Sequence, residues 1–156
     1  MLQVVLYQPD IPQNTGNVAR TCAATGVPLH LVEPLGFRIT DRQLKRAGLD
    51  YWPHVNLKVH PDFESVRAQF PRSRLVYFSA RGSRPYHDFE FRGDDCLVFG
   101  AETRGLPEEL LASYPGFVVN IPIDRAKVRS LNLATCVGVA LFEALRQTQL
   151  GSEHSF

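Results

Sequence analysis

At 156 residues the chain is long enough for one domain with a substantial core and too short for two of ordinary size. Hydrophobic residues make up 44% and charged residues 21%, which excludes a disordered chain, and no apolar run reaches the length of a membrane span. A formal net charge of +1 argues against indiscriminate nucleic-acid binding, although the basic residues fall in clusters, among them Arg38, Arg42, Lys45 and Arg46, and later Arg125, Lys127 and Arg129.

The chain opens on Met1-Leu2-Gln3-Val4-Val5-Leu6-Tyr7, which lacks a basic leader and a small-residue cleavage site and reads as a strand, so a cytoplasmic protein is expected. A helix over about 15–25, stopped by Gly26, leads to the apolar run Leu29-His30-Leu31-Val32. A second helix is expected over about 41–47, between Thr40-Asp41 and Gly48, followed by an alternating segment, Val55 to Val59, that suits an edge strand. Asp62 caps a third helix that ends before Pro71. The runs Leu75-Val76-Tyr77-Phe78, Cys96-Leu97-Val98-Phe99 and Phe117-Val118-Val119 follow, with a helix starting near Pro107 between the last two. Short continuous apolar runs are strands buried on both faces, and their alternation with helices predicts an α/β domain over 1–150 with a mostly parallel sheet flanked by helices. The residues 151–156 form a short polar tail.

The last helix, about 131–149, carries Leu133, Cys136, Val137, Ala140, Leu141, Ala144 and Leu145 at helical spacing. Val139 and Phe142 broaden that surface, which fits either a second-subunit contact or a fully buried core helix. Cys22, Cys96 and Cys136 stand far apart among apolar neighbours without a metal-ligand spacing, so they are expected to be buried thiols, and no metal site is expected.

Three segments place small and polar residues where a strand gives way to a helix, and open α/β sheets hold ligands at such junctions. In Asn14-Thr15-Gly16-Asn17-Val18-Ala19-Arg20, the residues Asn17 and Arg20 share the polar helix face opposite Val18 and Cys22. A guanidinium beside amide side chains grips a phosphate or orients a hydroxyl, while an asparagine cap and a surface arginine explain the same residues structurally. In Gly100-Ala101-Glu102-Thr103-Arg104-Gly105-Leu106-Pro107, glycines bracket a tight turn, and Glu102 is either a pocket carboxylate or a cap on the next helix. The spacing is neither a dinucleotide fingerprint nor a phosphate-binding loop. In the third, Ile121-Pro122-Ile123 closes a strand and Arg129-Ser130-Leu131-Asn132 opens the last helix with two capping residues.

Taken together, these segments resemble the three motifs of the SPOUT class of RNA 2'-O-methyltransferases in order and spacing. The chain is most similar to the small branch acting on the wobble nucleotide of tRNA, position 34, with C or modified U as target. The similarity runs from Leu2 to about Leu150 and includes Leu6-Tyr7-Gln8-Pro9-Asp10-Ile11-Pro12, Arg46-Ala47-Gly48-Leu49-Asp50-Tyr51 and Glu143-Ala144-Leu145-Arg146-Gln147. It implies an α/β domain with a C-terminal trefoil knot, a rare exception to ordinary chain topology. It also implies a homodimer through the first and last helices, with S-adenosyl-L-methionine bound by Phe78, Ser79, Gly100, Glu102, Gly105, Ile121, Pro122, Ile123, Ser130 and Leu131.

Hydroxyl activation is thereby assigned to Arg20, with Asn14 and Asn17 beside it and Ser130 and Asn132 shaping the site. An arginine stays protonated at working pH, so a role in holding phosphate and stabilising negative charge stands beside that of a base. Without a separate RNA-binding extension, the tRNA anticodon stem-loop would meet Arg38, Arg42, Lys45, Arg46, Lys127 and Arg129. The chain departs from the family at Phe142 and Leu145, where tyrosine and tryptophan are common, and in the loop from Asp124 to Val128. Methylation of another tRNA position or of rRNA, and a knotted RNA-binding protein without catalysis, are the alternatives.

Overall fold

The computed structural model describes residues 1–40, 42 and 51–149. The helix expected over 41–47, the residues Lys45 and Arg46, and the tail 151–156 lie outside the described residues. Seven strands, β1 (Gln3–Tyr7), β2 (Leu29–Val32), β3 (Leu57–His60), β4 (Leu75–Phe78), β5 (Arg84–Pro85), β6 (Cys96–Phe99) and β7 (Val118–Asn120), form one sheet. Every pairing is parallel, and the spatial order is β3-β2-β1-β6-β4-β7-β5. The later strands β6 and β7 are therefore inserted between strands laid down earlier.

Among the described residues four α-helices cover the sheet: α1 (Pro12–Thr25), α2 (Phe63–Gln69), α3 (Glu108–Ser113) and α4 (Leu133–Gln149). Alternate residues of each strand face opposite layers. Val4, Leu6, Leu29, Leu31, Leu97 and Phe99 pack with Val18 and Cys22 of α1 and Val137 and Leu141 of α4. Val5, Tyr77, Cys96 and Val98 pack with Phe63 and Val66 of α2 and Leu111 of α3. Burial on both faces is why these strands read as unbroken apolar runs.

α1 begins at Pro12, three residues before its expected start, with proline in the first turn, and ends at Gly26 with φ 72°. Asp62 caps α2 by accepting a hydrogen bond from the Ser65 amide at 2.8 Å. Pro107 is the residue before α3 rather than its first turn, and β3 lies at the sheet edge, shifted towards His60. The two-residue strand β5 had no apolar run to announce it.

The 143–147 stretch acts as a latch. The Gln147 side chain accepts from the Phe91 amide at 2.8 Å and donates to the Phe89 carbonyl at 3.0 Å, fastening α4 to the segment before β6. Glu143 accepts from both Arg146 and Gln147, and chiefly the Arg146 guanidinium holds its carboxyl down at about 2. The three cysteines are free thiols; burial pushes Cys22 and Cys96 up to about 12, so these two behave as small hydrophobes, whereas Cys136, expected to be buried as well, is only half-buried on α4.

A buried polar pair makes the fold pH-dependent. His30 Nδ1 lies 2.9 Å from His60 Nε2, and His30 Nε2 lies 2.8 Å from Gln3 Oε1. With Gln3 Oε1 as an acceptor, His30 carries its proton on Nε2 and presents Nδ1 as a lone pair to the His60 N–H. A second proton on His30 must displace the His60 N–H from Nδ1, and it meets desolvation first, then the charges of His60 and Lys58, so its value falls from 6.5 to about 4. Between those values the unfolded chain binds more protons than the folded one, so stability declines as pH drops from 6.5 to about 4 and this contribution levels off below. The loss from His30 amounts to about 3 kcal/mol. Urea unfolding midpoints across that window check this, with a shallower decline expected in His30→Leu.

Candidate functional site

Leu6, Phe99, Phe78 and Val119 stand in register across β1, β6, β4 and β7. The residues that follow, Tyr7, Gly100, Ser79 and Asn120, therefore form one row along the carboxyl edge of the sheet, and the loops leaving them start side by side. This brings together Phe78, Ser79, Gly100 and Ile121-Pro122-Ile123 from three separate stretches of sequence. Phe78 turns its ring into the core, stacked on Phe99 at 4.7 Å, so it offers the edge its backbone. The Ser79 amide donates to the Val119 carbonyl at 2.9 Å, and Arg125 donates to the Ala80 carbonyl at 3.2 Å, binding the 124–128 loop to the end of β4.

At Gly100 the turn folds back so closely that an added Cβ would overlap the backbone of Gly105. Gly105 has φ 64°, donates its amide to the Ala101 carbonyl at 2.9 Å, and turns its Cα towards open space. A cleft of about 150 Å³ opens beside it, lined by Tyr7, Gln8, Ala101, Arg104, Gly105 and Pro107.

The carboxylate of Glu102 neither faces that cleft as a free group nor caps α3. It caps α1 from outside the helix: Oε2 accepts from the Asp10 amide at 2.8 Å, and Oε1 accepts from the Ile11 amide at 3.2 Å and from Asn14 Nδ2 at 3.4 Å. The α1 N-cap, Ile11, has no capping side chain of its own, so a carboxylate supplied across the chain serves its orphan amides and its dipole. Asn14 is thus not the cap of its own helix. It is buried, and its Oδ1 accepts from Asn132 Nδ2 at 2.9 Å. Asn132 in turn caps α4, its Oδ1 accepting from the amides of Ala134 and Thr135. One chain of hydrogen bonds, Glu102 to Asn14 to Asn132, ties the three segments at the starts of α1 and α4.

Asn17 and Arg20 both lie exposed on the polar face of α1, with Val18, Ala19 and Cys22 buried opposite. The Arg20 guanidinium sits 5.5 Å from the centroid of the Tyr51 ring. Ser130 is exposed, and Leu131 is half-buried like Ile121 and Ile123. Arg38, Arg42, Lys127 and Arg129 are exposed, Lys127 keeping an ion pair with Asp124 at 3.7 Å. The loop carrying Arg38 belongs to the same edge, because the Gly36 amide donates to the Pro9 carbonyl at 2.9 Å and an added Cβ there would lie 2.7 Å from Asp10 Cα.

A model of the SpoU rRNA Methylase family matches residues 1–142. The chain belongs to that family. A tRNA (cytidine(34)-2'-O)-methyltransferase from Burkholderia cenocepacia is 50% identical over 150 residues, which span 94% of this chain and 96% of the relative. A solved structure presented as structural insight into the 2-OH methylation of C/U34 on tRNA is 57% identical, with a TM-score of 0.89 over 94% of this chain and 95% of that one. An AdoMet-bound rRNA methyltransferase from Sinorhizobium meliloti is 28% identical, with a TM-score of 0.84 over 97% of this chain and 57% of that one.

For this SpoU methylase, sequence reasoning missed Asp10, which accepts from Thr103 Oγ1 at 3.2 Å and pairs with Arg104 at 3.4 Å. It also missed Gln8, which turns the end of β1 with φ 50°. The only signal for either was the Tyr7-Gln8-Pro9-Asp10-Ile11-Pro12 stretch of the family resemblance. Among the described residues no group of three metal-ligating side chains comes together.

Proposed function

We propose that this chain transfers a methyl group from S-adenosyl-L-methionine to the ribose 2'-hydroxyl of nucleotide 34 of tRNA. The observation that carries the reading is the juxtaposition of the Arg20 helix with the ends of β6, β4 and β7, held by Glu102, Asn14 and Asn132. The identity to tRNA (cytidine(34)-2'-O)-methyltransferases over nearly the full length of both chains supports the choice of nucleotide.

The strand ends fit an adenosyl sulfonium ligand by their chemistry. An adenine ring asks for apolar flanks and backbone groups at its edge, and Ile121, Ile123 and Leu131 supply partly exposed apolar surface beside the backbone of Ser79, Gly100, Gly105 and Pro122. When bound, S-adenosyl-L-methionine supplies an electrophilic methyl group on sulfur. Transfer forms the ribose O–C bond as the S–C bond breaks, and the hydroxyl proton must leave. Arg20 holds the target phosphate and stabilises negative charge building on the 2'-oxygen, while a phosphate oxygen or water takes the proton. Asn14 and Asn132 fix the helix starts around this space, and Asn17 and Ser130 line it. Glu102 serves the cofactor loop by shaping it, since its oxygens are spent on α1.

Exposed Arg38, Arg42, Lys127 and Arg129 hold the phosphates of an anticodon stem-loop, whose unstacked bases suit a small reader. A homodimer covers the outer faces of α1 and α4. Phe142, 43% exposed, belongs to that contact, whereas Leu145 is only 2% exposed and belongs to the core, a division the sequence did not make. The implied trefoil knot accords with β7 lying between β4 and β5. The enzyme works in the cytoplasm, where mature tRNA resides.

Purified protein, labelled cofactor, total tRNA and rRNA test the reading, with mass spectrometry mapping the modified nucleotide. A 2'-O-methyl group at position 34 of tRNA is the expected product. Label in rRNA alone selects the rRNA alternative, and none in either selects the non-catalytic one.

A further inference from the structure

We propose that Tyr51 positions Arg20 for methyl transfer, an inference that rests on the role of Arg20 proposed above. Tyr51 opens the segment that enters the single helical turn Trp52–His54, and it packs half-buried against the same core cluster as α1. Its hydroxyl donates to the Gly16 carbonyl at 3.0 Å. In an α-helix that carbonyl also accepts from the amide four residues on, which here is that of Arg20. The hydroxyl is thus anchored to the turn that carries the arginine, and the ring lies across it with the guanidinium 5.5 Å from its centroid.

Gly16 explains how an aromatic ring reaches a helix backbone. It is buried, and it stands one turn before Arg20 on the same face, so no side chain holds the ring away. Ring and guanidinium then attract through the ring quadrupole. An exposed arginine that would otherwise sample many rotamers is confined to one sector of the helix surface while its N–H groups remain available to a phosphate or an oxyanion. Entropy lost on binding RNA is correspondingly smaller.

The test compares Tyr51→Leu, which removes ring and hydroxyl, with Tyr51→Phe, which keeps the ring, in single-turnover methylation of tRNA together with cofactor affinity by calorimetry. Tyr51→Leu is expected to slow the methyl-transfer step about tenfold with cofactor affinity unchanged, and Tyr51→Phe to stay within about threefold of wild type, as expected for loss and retention of a partly exposed cation–π contact. In an Arg20→Lys background the Tyr51→Leu loss is expected to shrink, because the planar partner of the ring is gone. The Arg20 Nε–H resonance reports the geometry without catalysis: its ring-current shift persists in Tyr51→Phe and vanishes in Tyr51→Leu.

Wild-type rates in Tyr51→Leu, or an equal loss in both arginine backgrounds, overturn the positioning role while leaving Arg20 essential. A wild-type rate in Arg20→Ala overturns both assignments.

Discussion

Arg20→Ala is expected to slow methyl transfer to tRNA by about 10²–10³-fold, the usual cost of removing one preorganised donor that stabilises transition-state charge. Cofactor affinity and thermal stability should change little. The reasons lie in where the side chain stands. It projects from the exposed face of α1, so truncation opens no cavity. Among the described residues no carboxylate pairs with it, so its N–H groups are not spent on the fold. Contrast Arg74, whose guanidinium forks onto the fully buried carboxylate of Asp95 at 2.8 and 2.7 Å and donates to the Glu90 carbonyl. One arginine is structural by its bonds and the other is available by their scarcity. Arg20→Lys keeps the charge but loses the planar fork, and an intermediate rate is expected. Single-turnover assays with isothermal titration of cofactor separate the two effects, and turnover at the wild-type level in Arg20→Ala would remove the arginine from the mechanism.

The fold was legible wherever a residue's local pattern decided its structure. Strands buried on both faces read as apolar runs, and Gly26 read as a stop because only a residue tolerant of positive φ ends α1 at 72°. Legibility failed where partners lie far apart. The first turn of α1 carries no local mark, because Pro12 to Gly16 shows no apolar period and its cap sits 91 positions away on Glu102. Two residues of β5 carry no pattern at all, since their strand character comes from pairing with the β7 backbone beside them. The residue types of the site were visible, since asparagines, serine and arginine cluster at three strand exits. Their connections were not, because whether Asn14 caps a helix or bridges two loops depends on Asn132, 118 positions on. Tyr51 was visible only as one letter in a family stretch, without the helix surface that gives it a role.

Glu102 decides whether that connecting chain matters, and Glu102→Ala is expected to lower the melting temperature by about 5–10 °C. The substitution leaves the amides of Asp10 and Ile11 without their acceptor and deprives buried Asn14 of one partner. A lost cap and a lost charge at a helix N-terminus together cost about 2–3 kcal/mol, and each kcal/mol moves the midpoint of a chain this size by about 2–4 °C. Glu102→Gln is the sharper probe. A carboxamide keeps one accepting oxygen for the Asp10 or Ile11 amide, but it turns an NH₂ group towards donors that have nothing to accept with, so roughly half the loss should remain. Methyl transfer should fall with stability in both variants, about tenfold in Glu102→Ala, because α1 carries Arg20 and loosening its first turn moves the guanidinium off the reacting atoms. A carboxylate that gripped the cofactor directly would behave in the opposite way, weakening cofactor binding sharply while the melting temperature held. Calorimetric scans and cofactor titrations on the same samples tell these apart, and an unchanged melting temperature in Glu102→Ala would return the residue to the cofactor pocket.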